Sequence, residues 1–278
     1  MLPPDSHVHS EWSWDAPDGS MERTCARAVA FGLPAVAFTE HADYTPWTVA
    51  DSGPGADEHL TSLASPDGLL IPPELAVEGY LECIQRCRER FPDLRIMSGL
   101  ELGEPHWHGT AVAALLAVGQ FDRVLGSLHC LPVGRQFSEI ENLYQNRPAS
   151  EVVREYLAEV ARLIQGSQAF SVLAHIDYPV RDWPAAAGAF DPGAFEEEFR
   201  HALRVLAGSG RALEINTETP LCPQIVRWWR EEGGTAVTFG SDAHEPGALA
   251  RQFRDAAAMA RACGFRPSDD ACDPWAGG

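Results

Sequence analysis

Lysine is absent from this chain: all 21 basic residues are arginine, set against 40 carboxylates for a formal net charge of −19. That balance excludes a protein that grips nucleic acid by its phosphates, which requires clustered Lys and Arg. Part of the negative count has another use if some carboxylates hold cations. A GC-rich genome accounts for the missing lysine and also fits the many Ala, Gly and Pro. Long apolar runs are missing too. No stretch is long enough to cross a bilayer, and no basic segment leads an apolar core at the start, so a soluble, cytoplasmic protein with no membrane partner is expected. Paired CxxC spacing is also lacking. The seven cysteines (Cys25, Cys83, Cys87, Cys130, Cys222, Cys263, Cys272) therefore read as reduced thiols rather than as a disulfide framework or thiolate zinc site. Cys83 and Cys87 lie one helical turn apart, but they share the stripe Val77, Tyr80, Leu81, Ile84 and Phe91 and read as core. There is no internal repeat and no low-complexity segment.

What is present is a regular alternation. Short apolar runs (Ala35 to Phe38, Leu94 to Met97, Phe121 to Leu125, Phe170 to Leu173, Ala212 to Ile215, Ala236 to Phe239) are bounded by Gly, Pro or charge and read as buried strands. Helix patterns lie between them, the first running from Ser20 as N-cap to Gly32, with Pro34 beyond as a stop. Counting an opening strand at His7 to His9, this makes seven βα units and an α/β barrel of one domain over residues 1–265. Residues 43–73 and 131–148 interrupt the rhythm after the second and fourth strands and are expected over the mouth, the former as a lid-like insertion. Residues 266–278 read as a loosely held tail.

Metal-binding residue types recur where these runs end: Asp5, His7, His9, His41, Glu101, His129, His175, Asp242 and His244. In a parallel barrel, side chains at the C-terminal strand ends converge on one mouth, so residues far apart in sequence would share one site. Strand alternation puts His7 and His9 on one side, with Asp5 on that side to orient a histidine from behind.

In order along the chain, Asp5-Ser-His7-Val-His9, Thr39-Glu40-His41-Ala42-Asp43, Gly99-Leu-Glu101, Gly126-Ser-Leu-His129, Ala174-His175-Ile-Asp177, Glu214-Ile-Asn216-Thr217 and Gly240-Ser-Asp242-Ala-His244 resemble the successive motifs of the PHP (polymerase and histidinol phosphatase) family, in its histidinol-phosphatase branch. The resemblance spans about residues 5 to 265. It implies a distorted seven-stranded TIM-like βα barrel with up to three divalent ions: His7, His9, Glu101 and Asp242 on the first, Glu101 bridging to a second on His129 and His175, and a third on His41, His244 and a residue of the first loop, either Asp15 or Glu11. Imidazole with carboxylate suits Zn, Mn or Fe. Asp177, Glu214 and Asn216 are read as orienting the ligands from behind. His59, His106 and His108 fall outside the motifs and read as surface loop.

The chemistry this implies is hydrolysis of a small phosphate monoester, with L-histidinol phosphate the first to consider, by a hydroxide bridging the ions, without a phosphoenzyme. Glu101 bridges, and Asp242 or His244 assists proton transfer. Members of this branch carry basic residues after the Glu-Ile-Asn strand, whereas here no basic residue appears until Arg227, which leaves Arg135 and Arg181 as phosphate ligands. Trp12, Trp14, Trp47, Trp107 and Trp183 fall in loops at the mouth, and Trp107 and Trp183 are candidate substrate contacts. Two rivals exist. An amidohydrolase-type enzyme shares the HxH opening and the strand-end Asp, but many of its binuclear members bridge their ions with a carboxylated lysine that this chain cannot supply. A noncatalytic or polymerase-associated module would be expected to lose ligands or gain basic surface.

Overall fold

The computed structural model describes residues 2–49 and 58–278. Seven parallel strands follow one another in space as they do in sequence: β1 (Asp5–Val8), β2 (Ala35–Ala42), β3 (Arg95–Gly103), β4 (Arg123–Ser127), β5 (Val172–Leu173), β6 (Ala212–Asn216) and β7 (Ala236–Gly240). The longest helix after each is α1 (Met21–Phe31), α2 (Val77–Arg90), α3 (Gly109–Val118), α4 (Ala149–Gly166), α5 (Glu196–Ser209), α6 (Pro223–Glu231) and α7 (Phe253–Ala262). These are the seven βα units of the sequence, and the strands are almost wholly buried because helices cover the sheet. Ser20 caps α1 by accepting from the Arg23 amide, and Gly32 ends it at φ 69, a left-handed conformation that costs glycine little.

The curled sheet closes at the mouth. The Asp242 amide donates to His7 O at 2.9 Å and the His9 amide to Ala243 O at 2.9 Å, which joins the loop after β7 to the end of β1. Asp242 takes φ 53 to do this, a left-handed region that Asp tolerates better than most residues. The largest core cluster lies under α4 to α7, with Trp229, Tyr156, Phe199 and Phe239 among its fully buried side chains. A second cluster, which contains Cys25, Cys83 and Cys87, packs α1 and α2 against β1 and β2.

One expectation changes here. Residues 266–278 are no loose tail: β8 (Phe265–Arg266) and β9 (Trp275–Gly277) extend the sheet antiparallel from β7, with Trp275 and Cys272 buried. Of the insertion at 43–73, residues 50–57 lie outside the described residues. In the rest, Trp47–Thr48 pairs antiparallel with Leu69–Leu70 beside a short helix at Glu58–Leu63. Residues 131–148 begin within a hairpin of Cys130–Val133 with Gln136–Glu139.

Candidate metal centre

His41 and Glu101 stand opposite each other in the β2–β3 register, at the C-terminal ends of their strands. His7 and His9 come from β1 and the residue just beyond it, and His129, His175, Asp242 and His244 from the loops that leave β4, β5 and β7. Four groups form, in each of which the donor atoms all lie within 4.8 Å of one another: His7, His9, Glu101 and Asp242; Glu101, His129 and His175; His9, His41 and His244; and His41, Asp43 and His129. Glu101 connects the first two. Its Oε2 is 3.0 Å from His7 Nε2 and 3.2 Å from His9 Nε2, while its Oε1 is 2.8 Å from His175 Nε2 and 3.3 Å from His129 Nε2. Asp15 Oδ2 lies 3.1 Å from both His41 Nε2 and His244 Nε2, whereas Glu11 turns away to accept from the Met21 amide at the start of α1.

The histidines share one orientation. His7 Nδ1 meets Glu214 at 2.8 Å, His9 Nδ1 meets Ser13 Oγ at 2.9 Å, and His244 Nδ1 meets the Asp242 carbonyl at 3.0 Å. His41 Nδ1 faces Asp43 Oδ2 at 3.1 Å and His129 Nδ1 faces Asp43 Oδ1 at 3.7 Å. With Nδ1 hydrogen-bonded from behind, His7, His9 and His244 present the Nε2 lone pair inward, the tautomer that suits a metal ligand, whereas His41 Nδ1 makes no hydrogen bond among the described residues. His7 Nε2 and His9 Nε2 approach to 3.1 Å, both about as close to Asp242 Oδ1 (3.3 and 3.2 Å). Donor atoms that face one another in a buried space with carboxylates between them fit a cation.

Electrostatics agree. Burial works against a charged His7, but Asp242, Glu101 and Glu214 outweigh it and hold the imidazole well above its ordinary range. His41 is likewise raised despite burial, through Asp15, Asp43 and Glu101. His129, buried but facing Asp43 and Glu101, is pushed up to about 10, and His244, buried but facing Asp15, to about 9. Glu101 is held well below the usual carboxylate range, since His7 and His41 overcome its burial. Without metal, protons supply the positive charge that these carboxylates require. His175 is the exception: burial lowers it, and its Nδ1 has no hydrogen-bond partner among the described residues.

The supporting residues only partly follow expectation. Glu214 serves two ligands, taking His7 Nδ1 on one oxygen and the His175 amide (2.9 Å) and Asn216 Nδ2 (3.1 Å) on the other. Gly240 makes room for it, because a Cβ there would lie 2.1 Å from Glu214 Oε1. Asp5 does not orient a histidine. A register shift between Asp5 and Val8 breaks the alternation, and Asp5 instead accepts from the amides of Ser241 and Ala250, both at 2.9 Å. Asp177 is buried, its carboxyl raised to about 7 by that burial against the pull of Arg181, and it bonds no candidate ligand among the described residues. The sequence reading left Asp43 and Glu40 without roles. Asp43 backs His41 and His129 and accepts from Trp14 Nε1 at 2.9 Å, and Glu40 takes the hydroxyl of Ser13, which in turn serves His9. Asp43 was visible as the end of the motif that carries His41, but only the fold brings it to His129.

Above these groups opens a cavity of about 370 Å³. Arg181 lines it, held by Asp242 and, at 2.6 Å, by Glu218. Trp14 and Trp47 also line it, with Leu60 and Pro72 of the insertion. The other nominated substrate contacts lie elsewhere. Arg135 is exposed beside the turn of a hairpin, Trp107 packs on Phe137, and Trp183 packs against Phe190, Phe195 and Tyr144. Of the three leftover histidines, His106 is no surface residue: its side chain is 6% exposed and bonds Glu159 at 2.9 Å. His59 meets the Trp14 carbonyl, and His108 meets Thr45.

A parallel barrel carrying clustered imidazoles and carboxylates at its C-terminal mouth, with one carboxylate facing two histidine pairs, has the architecture of a metal-dependent hydrolase. The PHP domain model matches residues 5–218, and the chain belongs to that family. A histidinol-phosphatase of Lactococcus lactis is 27% identical over 248 residues, covering 86% of this chain and 83% of the relative. A protein of Deinococcus radiodurans named "Probable histidinol-phosphatase" is 29% identical over 275 residues, covering 94% of each. In fold, the chain is similar to the crystal structure of histidinol phosphate phosphatase from Lactococcus lactis complexed with zinc, L-histidinol and phosphate, with TM-score 0.77, 23% identity and 95% coverage of both chains.

Proposed function

We propose that this chain is a metal-dependent phosphatase that hydrolyses a small phosphate monoester, with L-histidinol phosphate as its substrate. The observation that carries this is Glu101, whose two oxygens face two separate pairs of histidines, each presenting Nε2. His7, His9, Glu101 and Asp242 would hold one ion, Glu101, His129 and His175 a second, and Asp15, His41 and His244 a third. Zn, Mn or Fe bound there would supply positive charge to the phosphoryl oxygens and lower the pKa of a water near them.

The chain's own residues supply the rest. Glu214 and Ser13 hold His7 and His9 in the inward tautomer, and the Asp43 carboxylate faces His41 and His129, which preorganises the site before substrate arrives. Arg181 lies against Asp242 and offers its guanidinium at the cavity wall, where it can pair with the phosphate of a bound ester. Asp242 and His244, 3.9 Å apart, are the groups placed to move a proton toward the leaving alcohol. Hydrolysis of the ester with release of inorganic phosphate, measured over histidinol phosphate, nucleotides and sugar phosphates with each metal supplied, tests the proposal. Absence of phosphate release from every ester with every metal would overturn it.

The amidohydrolase reading has lost its support, because the position that faces both histidine pairs is a glutamate. A complete set of inward imidazoles likewise disfavours a noncatalytic module.

A further inference from the structure

Among the described residues, two arginines line the cavity, Arg181 and Arg251. Arg181 is already engaged, with Asp242 and Glu218 on its two terminal nitrogens. The stretch after Asn216, Thr217 to Cys222, supplies no basic residue. Arg251 differs from Arg181 in that its guanidinium forms no hydrogen bond or ion pair among the described residues, although it borders the same space as Asp242, His244 and Glu218.

The backbone that presents Arg251 is unusual. Ala250 at φ 54 and Gln252 at φ 55 flank it, both in the left-handed region that residues with a Cβ rarely adopt. Backbone strain of this kind persists only where surrounding structure enforces it. Here the enforcement is visible: Asp5, fully buried in β1, accepts the Ala250 amide at 2.9 Å and the Ser241 amide at 2.9 Å, so one carboxylate fastens both the start and the end of the loop running from Asp242 to Arg251. Gln252 then opens α7, its carbonyl accepting from Asp255 and Ala256. The loop is thus pinned on both sides of a cation at the rim of the site that makes no hydrogen bond or close ion pair among the described residues, though its charge reaches the Glu218 carboxyl.

We propose that Arg251 is a substrate-positioning residue that binds the outward-facing phosphoryl oxygens of the ester, complementing Arg181, whose charge is largely met by two carboxylates. This rests on the phosphatase reading. A fork of N–H donors matches two oxygens of a phosphate at once, which an ammonium cannot do. The contact forms equally with substrate and with product phosphate, so it strengthens binding more than it speeds the chemical step.

The test compares the wild-type metal-loaded enzyme with Arg251→Ala and Arg251→Lys. With histidinol phosphate, Arg251→Ala should raise KM by about ten- to a hundredfold and leave kcat within about threefold. The inhibition constant of inorganic phosphate should rise in parallel, and Arg251→Lys should fall between. Metal content and thermal midpoint should not change, because the side chain is exposed. Calorimetric titration with inorganic phosphate reads the same contact without turnover. If the wild type hydrolyses no ester, the phosphatase reading fails, and phosphate affinity alone decides on Arg251. An Arg251→Ala protein whose phosphate affinity stays within twofold of wild type overturns the proposal.

Discussion

Asp43→Asn should weaken metal binding in a particular place. One Asp43 oxygen, Oδ2, accepts from Trp14 Nε1 at 2.9 Å and lies 3.1 Å from His41 Nδ1, and the other, Oδ1, faces His129 Nδ1 at 3.7 Å. An asparagine keeps only one acceptor. The position that accepts from Trp14 should retain the oxygen, which turns the amide NH2 toward His129 Nδ1 and puts a neutral donor where that ring faced an anionic oxygen. Gly103 packs against this group so closely that a Cβ there would lie 2.1 Å from Oδ1, which leaves little room for another arrangement. Loss of the group that orients a metal-ligating histidine costs about 10- to 100-fold in metal affinity, or about 1.4 to 2.7 kcal/mol. The loss should fall on the ion that His129 and His175 share with Glu101, and less on the ion at Asp15, His41 and His244. Competition with a chelating dye, followed by kcat at saturating metal, reads both parts: a weaker ion, and turnover that recovers when the metal is raised. Unchanged affinity for every ion in Asp43→Asn would refute the reasoning.

Glu101→Gln should abolish turnover at saturating metal and leave the fold intact by circular dichroism, since the amide cannot supply two anionic oxygens; wild-type turnover in this variant would remove Glu101 from its bridging role. Metal binding should release protons, because His129 at about 10 and His244 at about 9 are protonated at neutral pH and must be neutral to bind an ion. Apparent affinity therefore rises with pH up to about 10, and calorimetry in buffers of different ionisation enthalpy should show the protons leaving; pH-independent affinity between pH 6 and 9 would contradict this. The same raised values stabilise the metal-free fold below the ordinary histidine value of 6.5, and that contribution is lost as pH climbs through 9 and 10, so the metal-free melting midpoint should fall across this window. Arg181→Ala should lower kcat/KM by about ten- to a hundredfold, and Arg135→Ala by less than twofold. The reverse order would put the phosphate near the hairpin instead.

Six of the seven strands were legible because each is a short apolar run with its own boundary residues, the first was read from His7-Val8-His9 instead, and the ligand types were legible because they end those runs. Strand ends converge in any closed parallel barrel, so His7, His41, Glu101 and His175 could be brought together without coordinates. Asp5 was misplaced because the rule of alternation fails at a register shift, which no residue of β1 announces. The last strand was missed for a related reason: residues 265–277 are poor in apolar pattern, yet backbone pairing to β7 and the burial of Trp275 hold them. Loops are the least legible part. Arg135 and Arg251 both follow a candidate ligand by six or seven residues, and only the path of the chain sends one to an exposed hairpin and the other to the cavity wall. His106 likewise looked like a surface histidine until α4 supplied Glu159.

The central claim is that several ions at one mouth hydrolyse a phosphate monoester. Metal-free protein titrated with Zn, Mn or Fe, while phosphate release from L-histidinol phosphate is followed in the same samples, tests it most directly. Activity should be absent without metal and should rise until more than one equivalent is bound per chain. Full turnover in metal-free protein, or saturation of activity at a single equivalent, would contradict it.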